Sequence, residues 1–337
     1  MFYLDINSPR IQHALNEHYI HCRYVIKRRL LGDAFKENPP FLQKSAVNKI
    51  SINKSVFNFF NDDKNIRLVL TGKPIELDKI KSKFYKNKND LDRLLNYTYF
   101  NVKGKYDTKN ISKEFVDRYS SFHLTNNLGI KTCIYCNRNY TDTITSGVRI
   151  NKFKNKKIPT RLLISRPTLD HWFPKSEYPI LAISFFNLIP TCSTCNSSVK
   201  GKSSLNLVNH FHPYFKNPNV DRQLNYQFNF NLDDPNKANI IIDSKNDFTR
   251  SSIREYSIDK LYSNHNDELQ SLMKLKKHFG RSYLNNLSNI LEDTDITANE
   301  MQRIIFGYST DNTEDILKRP LSKFRSDILK KLGIFTK

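Results

Sequence analysis

The stretch LDHWFPKSEYPILAISFFNLIPTCSTCNSSVKGKS, residues 169–203, decides the fold of this chain. It begins with an adjacent Asp-His pair, continues through two separated asparagines and ends in a Cys-x-x-Cys pair followed by lysines. Carboxylate, imidazole and thiolate groups are the side chains that bind metals and transfer protons in proteins. The residues of interest, in chain order, are Asp170, His171, Asn187, Cys192, Cys195 and Asn196.

Four of the five cysteines form two Cys-x-x-Cys pairs, Cys133 with Cys136 and Cys192 with Cys195. Each pair makes a tight turn that directs two thiolates at one ion, and two pairs complete a tetrahedral zinc site. A site closed by four protein ligands is structural, so we expect the Zn²⁺ to contribute directly to folding. The alternative is a redox-active Cys-x-x-Cys. The fifth cysteine, Cys22, is predicted to be a small buried residue of a helix.

Asp170 and His171 have the chemistry that phosphodiester hydrolysis requires. Histidine is the usual base near neutral pH, and a carboxylate is a hard oxygen ligand that suits Mg²⁺. Adjacent residues of a strand point to opposite faces, so both can serve one substrate only where the strand ends or bends. Pro174, shortly after the pair, is consistent with such an end. The pair is therefore a candidate site for metal-assisted hydrolysis.

The net charge of +21 and the pI near 9.6 indicate a polyanionic partner, and nucleic acid fits best. Part of the charge lies beside the Asp-His pair, because residues 149–175 contain eight lysines and arginines and one acidic residue, Asp170. The alternative is a lysine-rich composition that only solvates the surface. The local concentration favours a nucleic-acid-binding surface.

No membrane or secretory segment is expected. The sequence has no run of about 18 apolar residues, and its first residues lack the basic start, apolar middle and cleavage site of a signal peptide. Cysteines that serve as metal ligands suit a reducing compartment. We therefore expect a cytoplasmic protein.

Hydrophobic periodicity predicts the other elements and an α+β fold. Apolar residues recur at helical spacing in several stretches, and strict alternation marks one strand. We predict helices at 11–31, 113–124 and 258–291, short strands at 140–150 and 158–165, a strand at 224–232 paired with 240–242, and a break at Arg319-Pro320 in a helical tail.

The segments DHWFPKS, NLIPTC and CSTCNSSVKGK, with the earlier CIYCN, together resemble the HNH endonucleases, the ββα-metal nucleases. The resemblance covers roughly residues 131–203 and implies a zinc-stabilised ββα-metal core that cleaves DNA. By position, it implies that His171 is the general base and Asp170 the first metal ligand. It also implies that Asn187 ties the loop together and orients the histidine, and that Asn196 is a metal ligand.

The resemblance implies further ligands and partners. It implies a catalytic Mg²⁺ or Mn²⁺ and phosphate contacts by Lys175, Lys200 and Lys202. His210 and His212 are alternative ligands, which we interpret as structural. A narrower similarity to HNH proteins of prokaryotic anti-phage loci, including the Septu type, implies a defence role and an ATPase partner.

These inferences predict three regions: a mainly helical region at 1–130, an HNH core with zinc knuckles at 131–215, and a β-hairpin with helices at 216–337. Two other functions remain open. One is a zinc-stabilised nucleic-acid-binding or adaptor protein with an inactive nuclease site. The other is a toxin-like nuclease that cleaves RNA, since the site chemistry does not distinguish RNA from DNA.

Overall fold

In the computed structural model, α-helices combine with pairs of antiparallel strands, so the predicted mixed helix-and-sheet composition is confirmed. None of the helices in the described residues is long and apolar enough to cross a bilayer. The structure describes residues 1–43, 46–101, 118–145, 149–153, 156–160, 163–199, 205–216, 218, 224–231, 238–278, 283, 286, 289, 300 and 313–334.

The N-terminal region is helical, as its apolar spacing predicts. Its first and longest helix begins at Pro9, where the Ser8 side chain accepts a hydrogen bond from the amide of Ile11 (3.4 Å). Cys22 lies on the buried face of this helix, as predicted. The helices are α1 Pro9–Leu31, α2 Lys54–Asn61, α3 Asp63–Thr71, α4 Pro74–Ile80, α5 Lys88–Leu95, α6 Tyr97–Phe100 and α7 Ser121–Leu128.

Helix α7 begins later than predicted. Residues 113–117 of the predicted helix lie outside the described part of the chain, and residues 118–120 are not helical. Ser120 is the N-cap, and its amide donates a hydrogen bond to Nδ1 of His123 (3.1 Å). This local capping arrangement sets the start of the helix. Gly129, at a φ of 59°, ends it.

The two strands predicted at 140–150 and 158–165 correspond to four described strands, and residues 146–148 and 161–162 lie outside the described part of the chain. Tyr140 forms an isolated bridge with Thr132, so regular pairing starts after the predicted position. A register shift then accompanies the first strand pair. The strands are β1 Ile144–Thr145, β2 Arg149–Phe153, β3 Lys156–Thr160 and β4 Leu163–Ser165, with β1 antiparallel to β4 and β2 antiparallel to β3.

A central hairpin positions the Asp-His pair. Strand β5, Thr168–His171, runs antiparallel to β6, Leu188–Thr191. β5 ends at His171. Asp170 and His171 can act on one substrate only where their strand ends or bends, and this strand end meets that condition. The two strands are joined by a loop, residues 172–187, that is buried except at residues 174–178.

A short π-helical turn, Thr194–Val199, follows β6 and contacts β5. It begins between the two cysteines of the second pair and contains Cys195, and the amide of Asn196 donates to the carbonyl of Cys192 (3.1 Å). Asn196 therefore lies on an element that packs against the strand of Asp170.

The C-terminal region combines the predicted hairpin with helices. β7, Tyr226–Asn231, is antiparallel to β8, Asn239–Ser244, and β7 alternates buried and exposed residues, so this prediction is confirmed. The predicted helical stretch 258–291 is interrupted at 263–265, and most of it beyond residue 278 lies outside the described residues. The helices are α8 Asp247–Glu255, α9 Ile258–Tyr262, α10 Asn266–His278, α11 Thr313–Ile316 and α12 Ser322–Lys331.

One contiguous apolar core includes residues of all three predicted regions, for example Leu30, Leu169 and Phe324. Helix α12 packs against β7, where the amide of Phe228 donates to the Asp327 carboxylate (2.9 Å). The central hairpin is therefore supported by helices from both ends of the chain.

Candidate functional site

The four cysteines of the two pairs form one buried cluster. Their sulfur atoms all lie within 4.8 Å of one another, and those of Cys136 and Cys192 are 3.9 Å apart. A tetrahedral zinc ion with Zn–S bonds of about 2.3 Å places its sulfur atoms about 3.8 Å apart, whereas a disulfide bond is about 2.0 Å long. The predicted convergence of the two pairs on one metal site is therefore confirmed, and its geometry is compatible with structural zinc.

The pKa shifts of the four thiols also indicate that the cluster binds a cation. Burial raises the pKa of Cys133, and contacts with the other three thiols raise the pKa of Cys195. Hydrogen bonds from neighbouring cysteines lower the pKa of Cys192 and of Cys136. Only part of the cluster therefore ionises by itself, because thiolates at this distance repel one another. A divalent cation removes that repulsion, so the donor set fits Zn²⁺.

The backbone of the first pair explains why its sulfur atoms converge. The amide of Cys133 donates to the carbonyl of Asn139 (3.0 Å), and the amide of Asn137 donates back to the carbonyl of Cys133 (2.8 Å). Asn137 has a φ of 54°, a conformation that asparagine tolerates better than most residues. The amide of Arg138 lies 3.4 Å from the sulfur of Cys136, where it stabilises negative charge.

The buried Asn137 side chain fastens this turn to the C-terminal segment. Its Nδ2 donates to Thr132 Oγ1 (2.9 Å) and to the carbonyls of Ile316 and Arg319 (3.2 Å each). Its Oδ1 accepts from the amide of Lys323 (3.2 Å). The first cysteine turn and residues 316–323 are therefore one hydrogen-bonded unit.

Tyr135 links the cysteine cluster to Asp170. It lies between Cys133 and Cys136, and its hydroxyl donates to Asp170 Oδ2 (2.7 Å). Burial and the charge of Asp170 raise the pKa of Tyr135 well above its usual value, so the hydroxyl keeps its proton. A buried carboxylate requires hydrogen bonds or a cation. The turn that holds the metal therefore also orients the carboxylate of the Asp-His pair.

His171 is half-buried, and its Nε2 lies 2.9 Å from the carbonyl oxygen of Ala182. Because a carbonyl only accepts, Nε2 carries the ring proton and Nδ1 is the basic nitrogen of the neutral imidazole. The ring of Tyr97 meets His171 edge to face, with centroids 4.4 Å apart. Burial raises the pKa of Tyr97 to about 12, with an opposing effect of Arg166 and a smaller increase from Asp170. Tyr97 therefore lies close to both members of the pair.

Asn187 closes the loop between the two strands. Its fully buried side chain accepts from the amide of Phe173 (2.7 Å) and donates to the carbonyls of Phe173 (3.1 Å) and Leu181 (3.0 Å). Leu181 precedes Ala182, whose carbonyl holds the imidazole of His171. Asn187 therefore fixes the loop segment that orients the histidine.

The other predicted site residues lie around the hairpin. Asn196 is half-buried, and Lys175 is exposed with its Nζ 5.3 Å from the centre of the Tyr97 ring. Lys200 and Lys202 lie outside the described residues. Within the part of the chain that the structure describes, the cysteine cluster is the only group of three or more His, Cys, Asp or Glu side chains placed for a metal. The predicted binding of a catalytic Mg²⁺ or Mn²⁺ by Asp170 and Asn196 therefore stays a prediction.

Trp172 and the two later histidines have structural contacts. Trp172 is fully buried and its indole donates to the carbonyl of Phe211 (2.9 Å). His212 is buried, and its Nδ1 accepts from the amide of Tyr214 (3.1 Å). His210 accepts from the amide four residues before it (3.2 Å). The contacts of His210 and His212 are compatible with their interpretation as structural residues, and Trp172 is likewise held by a backbone carbonyl.

The sequence analysis assigned no role to three side chains of this site: Tyr97, Tyr135 and Arg166. Arg166 donates to the Asn101 side chain (2.6 Å) and to the carbonyl of Pro167 (2.8 Å). The position of Tyr135 between two metal-binding cysteines is a signal that could have identified it. Tyr97 carries no such signal, since it approaches His171 only through the fold.

Comparisons with models of protein families, with curated proteins and with solved structures find no match for this chain. The resemblance to HNH endonucleases therefore rests on the motif residues themselves.

Proposed function

We propose that this protein is a metal-dependent endonuclease of the HNH type that hydrolyses phosphodiester bonds in DNA. The observation that carries the proposal is the placement of His171 beside Asp170 at a strand end, with Nε2 held by the Ala182 carbonyl at 2.9 Å. Two strands followed by a short helical turn are the element order of a ββα unit, which supports the same proposal. The net charge of +21 supports a nucleic-acid substrate.

His171 acts as the general base. Its Nδ1 takes a proton from a water molecule, whose oxygen forms the new bond to phosphorus while the bond to the leaving oxygen breaks. The Ala182 carbonyl stabilises the positive charge that the ring acquires. Because Asn187 fixes this loop through three hydrogen bonds, the ring is already oriented before the substrate arrives.

Asp170 and Asn196 are the residues that would hold Mg²⁺ or Mn²⁺. When bound, such an ion neutralises the charge that develops on the phosphate. Asp170 offers a hard carboxylate oxygen, and Tyr135 fixes its orientation. Lys175, Lys200 and Lys202 contact neighbouring phosphates.

A narrower proposal is that this nuclease is a cytoplasmic effector of a prokaryotic anti-phage system with an ATPase subunit as partner. It rests on the similarity of the motif to HNH proteins of such loci, including the Septu type. The regions on both sides of the hairpin offer the surface for a protein partner.

The test of the nuclease compares wild-type protein with His171→Ala and with His13→Ala, a control at an exposed histidine of α1. Substrates are supercoiled plasmid, single-stranded DNA and total RNA, each with and without Mg²⁺ or Mn²⁺. We expect His171→Ala to reduce metal-dependent DNA cleavage by about 10²- to 10⁴-fold, with zinc content and melting temperature unchanged. His13→Ala should cleave like the wild type.

The outcomes distinguish a DNA endonuclease from a toxin-like RNase and from a binding or adaptor protein. Normal cleavage by His171→Ala removes this histidine from the mechanism. Cleavage of RNA alone identifies a toxin-like RNase. Binding without metal-dependent cleavage of any substrate identifies a zinc-stabilised binding or adaptor protein.

A further inference from the structure

We propose that residues 79–88 form a binding surface for an unpaired strand of nucleic acid that leads to His171. This proposal takes its direction from the proposed nuclease function but requires only binding. The surface, the lysine ridge, comprises Lys79, Lys81, Lys83, Tyr85, Lys86 and Lys88.

The lysine ridge is rich in positive charge, although Asp78 and Asp90 flank it. Residues 79–89, KIKSKFYKNKN, contain five lysines and no acidic residue. Lys79, Lys83 and Lys86 are exposed, while Lys81 is half-buried and forms an ion pair with Asp78 (2.8 Å). Exposed lysines along one short segment attract a phosphate backbone and release its counterions.

Aromatic rings are interleaved with these lysines. Lys83 Nζ lies 5.1 Å from the centre of the Phe59 ring, and Lys88 Nζ lies 5.8 Å from that of Tyr85. Phe84 has a φ of 59°, uncommon for a bulky residue, and its ring packs against Phe59 at 5.2 Å. The next side chain, Tyr85, is 64% exposed. The ridge therefore presents one flat ring to solvent between cationic groups.

Lys81 connects the ridge to the loop of the candidate site. Its Nζ lies 5.0 Å from the centre of the Phe173 ring and 5.2 Å from that of Tyr178. Phe173 is the residue whose amide and carbonyl are held by Asn187. The ridge and the loop beside His171 are therefore in direct contact.

Helix α5 connects the other end of the ridge to Tyr97. Its eight residues span about 12 Å, which equals about three to four nucleotides at the 3.4 Å spacing of a stacked strand. Tyr97 contacts His171 on one side and the Lys175 ammonium on the other. A strand that follows α5 from the ridge towards Tyr97 thus covers a few nucleotides before it meets the ring that contacts His171.

Two features favour an unpaired strand over a duplex. Asp170 is 4% exposed and the Tyr97 ring lies against His171, so a phosphate must approach closely to reach this pair. A single strand adapts its path to such an approach, whereas duplex DNA is stiff over about 50 nm. Tyr85 offers a ring face for stacking, and the faces of bases are accessible only when they are unpaired.

The first experiment measures binding by fluorescence anisotropy with one labelled sequence as single-stranded DNA, duplex DNA and single-stranded RNA. All proteins carry His171→Ala, so that binding is measured without cleavage. We expect Tyr85→Ala to weaken binding of single strands about 5- to 100-fold, the effect of losing one stacked base, and Tyr85→Phe to restore it. Tyr140→Ala, at a tyrosine of similar exposure (62%), is the matched control and should bind normally.

The second experiment measures the salt dependence of the same binding. The double variant Lys83→Ala/Lys86→Ala should reduce the slope of log K against log salt by about 1.4, or 0.7 per lost phosphate contact on a single strand. Lys276→Ala/Lys277→Ala, at two exposed lysines of α10, removes the same charge elsewhere and should leave the slope unchanged.

Three results contradict the proposed role of the lysine ridge: Tyr85→Ala binds single strands as well as Tyr140→Ala does, no single strand binds, or duplex DNA binds more tightly than either single strand. Single-stranded DNA and RNA that both depend on Tyr85 support it, and their relative affinities identify the natural strand. Loss of Tyr85-dependent binding in a protein that cleaves DNA removes only the ridge. Tyr85-dependent binding in a wild-type protein that cleaves nothing removes only the nuclease.

Discussion

The cysteine cluster and the Asp170–His171 pair lie at the same hairpin, but the two sites differ in how complete they are. The cluster has four buried sulfur atoms within 4.8 Å of one another. The pair has one buried carboxylate and one half-buried imidazole, held by Tyr135 and by the Ala182 carbonyl. Four sulfur atoms are enough to fill the tetrahedral shell of one ion, whereas the described residues place no second group of three or more His, Cys, Asp or Glu side chains around Asp170.

The number of protein ligands distinguishes a metal site that stabilises the fold from a site that can take part in a reaction. A closed tetrahedral site contributes its binding energy to the folded state. An incomplete site contributes little to stability but has positions at which a reactant binds. Changes at the cluster should therefore alter stability first, and changes at the pair should alter activity first.

The largest effect on stability is expected for the variant Cys192→Ala. Binding of structural zinc contributes on the order of 10 kcal/mol, which equals the whole stability of many domains. We expect the variant to lose its zinc and to be insoluble or melt more than about 10 °C lower, as measured by elemental analysis and calorimetry. Cys22→Ala, at a buried cysteine outside the cluster, is the control and should keep its metal. A soluble Cys192→Ala protein with full zinc content and normal melting contradicts a structural zinc site.

Substitutions of the two asparagines, Asn187 and Asn196, should show the same contrast between stability and activity with a smaller effect. Asn187→Ala leaves three buried backbone groups without their partner, so we expect a loss of about 3 kcal/mol in the free energy of unfolding, measured with urea. Asn196→Ala, at a half-buried position of the π-helical turn, should change stability by less than about 0.5 kcal/mol while reducing cleavage. Equal stability of the two variants shows that Asn187 does not hold the loop.

The last prediction concerns the hydrogen bond from Tyr135 to Asp170 that links the two sites. Tyr135→Phe removes the hydroxyl that donates to Asp170 at 2.7 Å, which should cost about 1 to 2 kcal/mol in urea unfolding. Cleavage should fall because the carboxylate loses its orientation, whereas zinc content should stay constant. Tyr140→Phe, at an exposed ring, should change neither quantity. A Tyr135→Phe protein with normal activity separates the cysteine cluster from the function of Asp170.

Local patterns explain which parts of the fold the sequence predicts. Helix α1, the β7–β8 hairpin and the convergence of the cysteines follow from periodicity and spacing within short segments. The late start of α7 also has a local cause, the capping contact between Ser120 and His123, which the pattern of apolar residues does not register.

The remaining parts depend on contacts between distant residues. Tyr97 reaches His171 across 74 positions of the chain, and Asn137 binds carbonyl groups of residues 316 and 319. No local periodicity encodes such pairs, because each becomes close only after several elements have packed. The motif indicated Asn187 as the residue that ties the loop beside His171, whereas Tyr97 and the C-terminal partners of Asn137 could not be inferred from it.

The distance between the two cysteine pairs along the chain also has a consequence in time. Cys136 and Cys192 are 56 residues apart. At 5 to 20 residues per second, a ribosome makes the second pair about 3 to 11 s after the first. During that interval the nascent chain carries two thiols whose remaining ligands do not yet exist, and the C-terminal partners of Asn137 are synthesised later still. The cysteine cluster is therefore complete only once residue 195 has been made, and the hydrogen bonds of Asn137 only once residue 323 has been made.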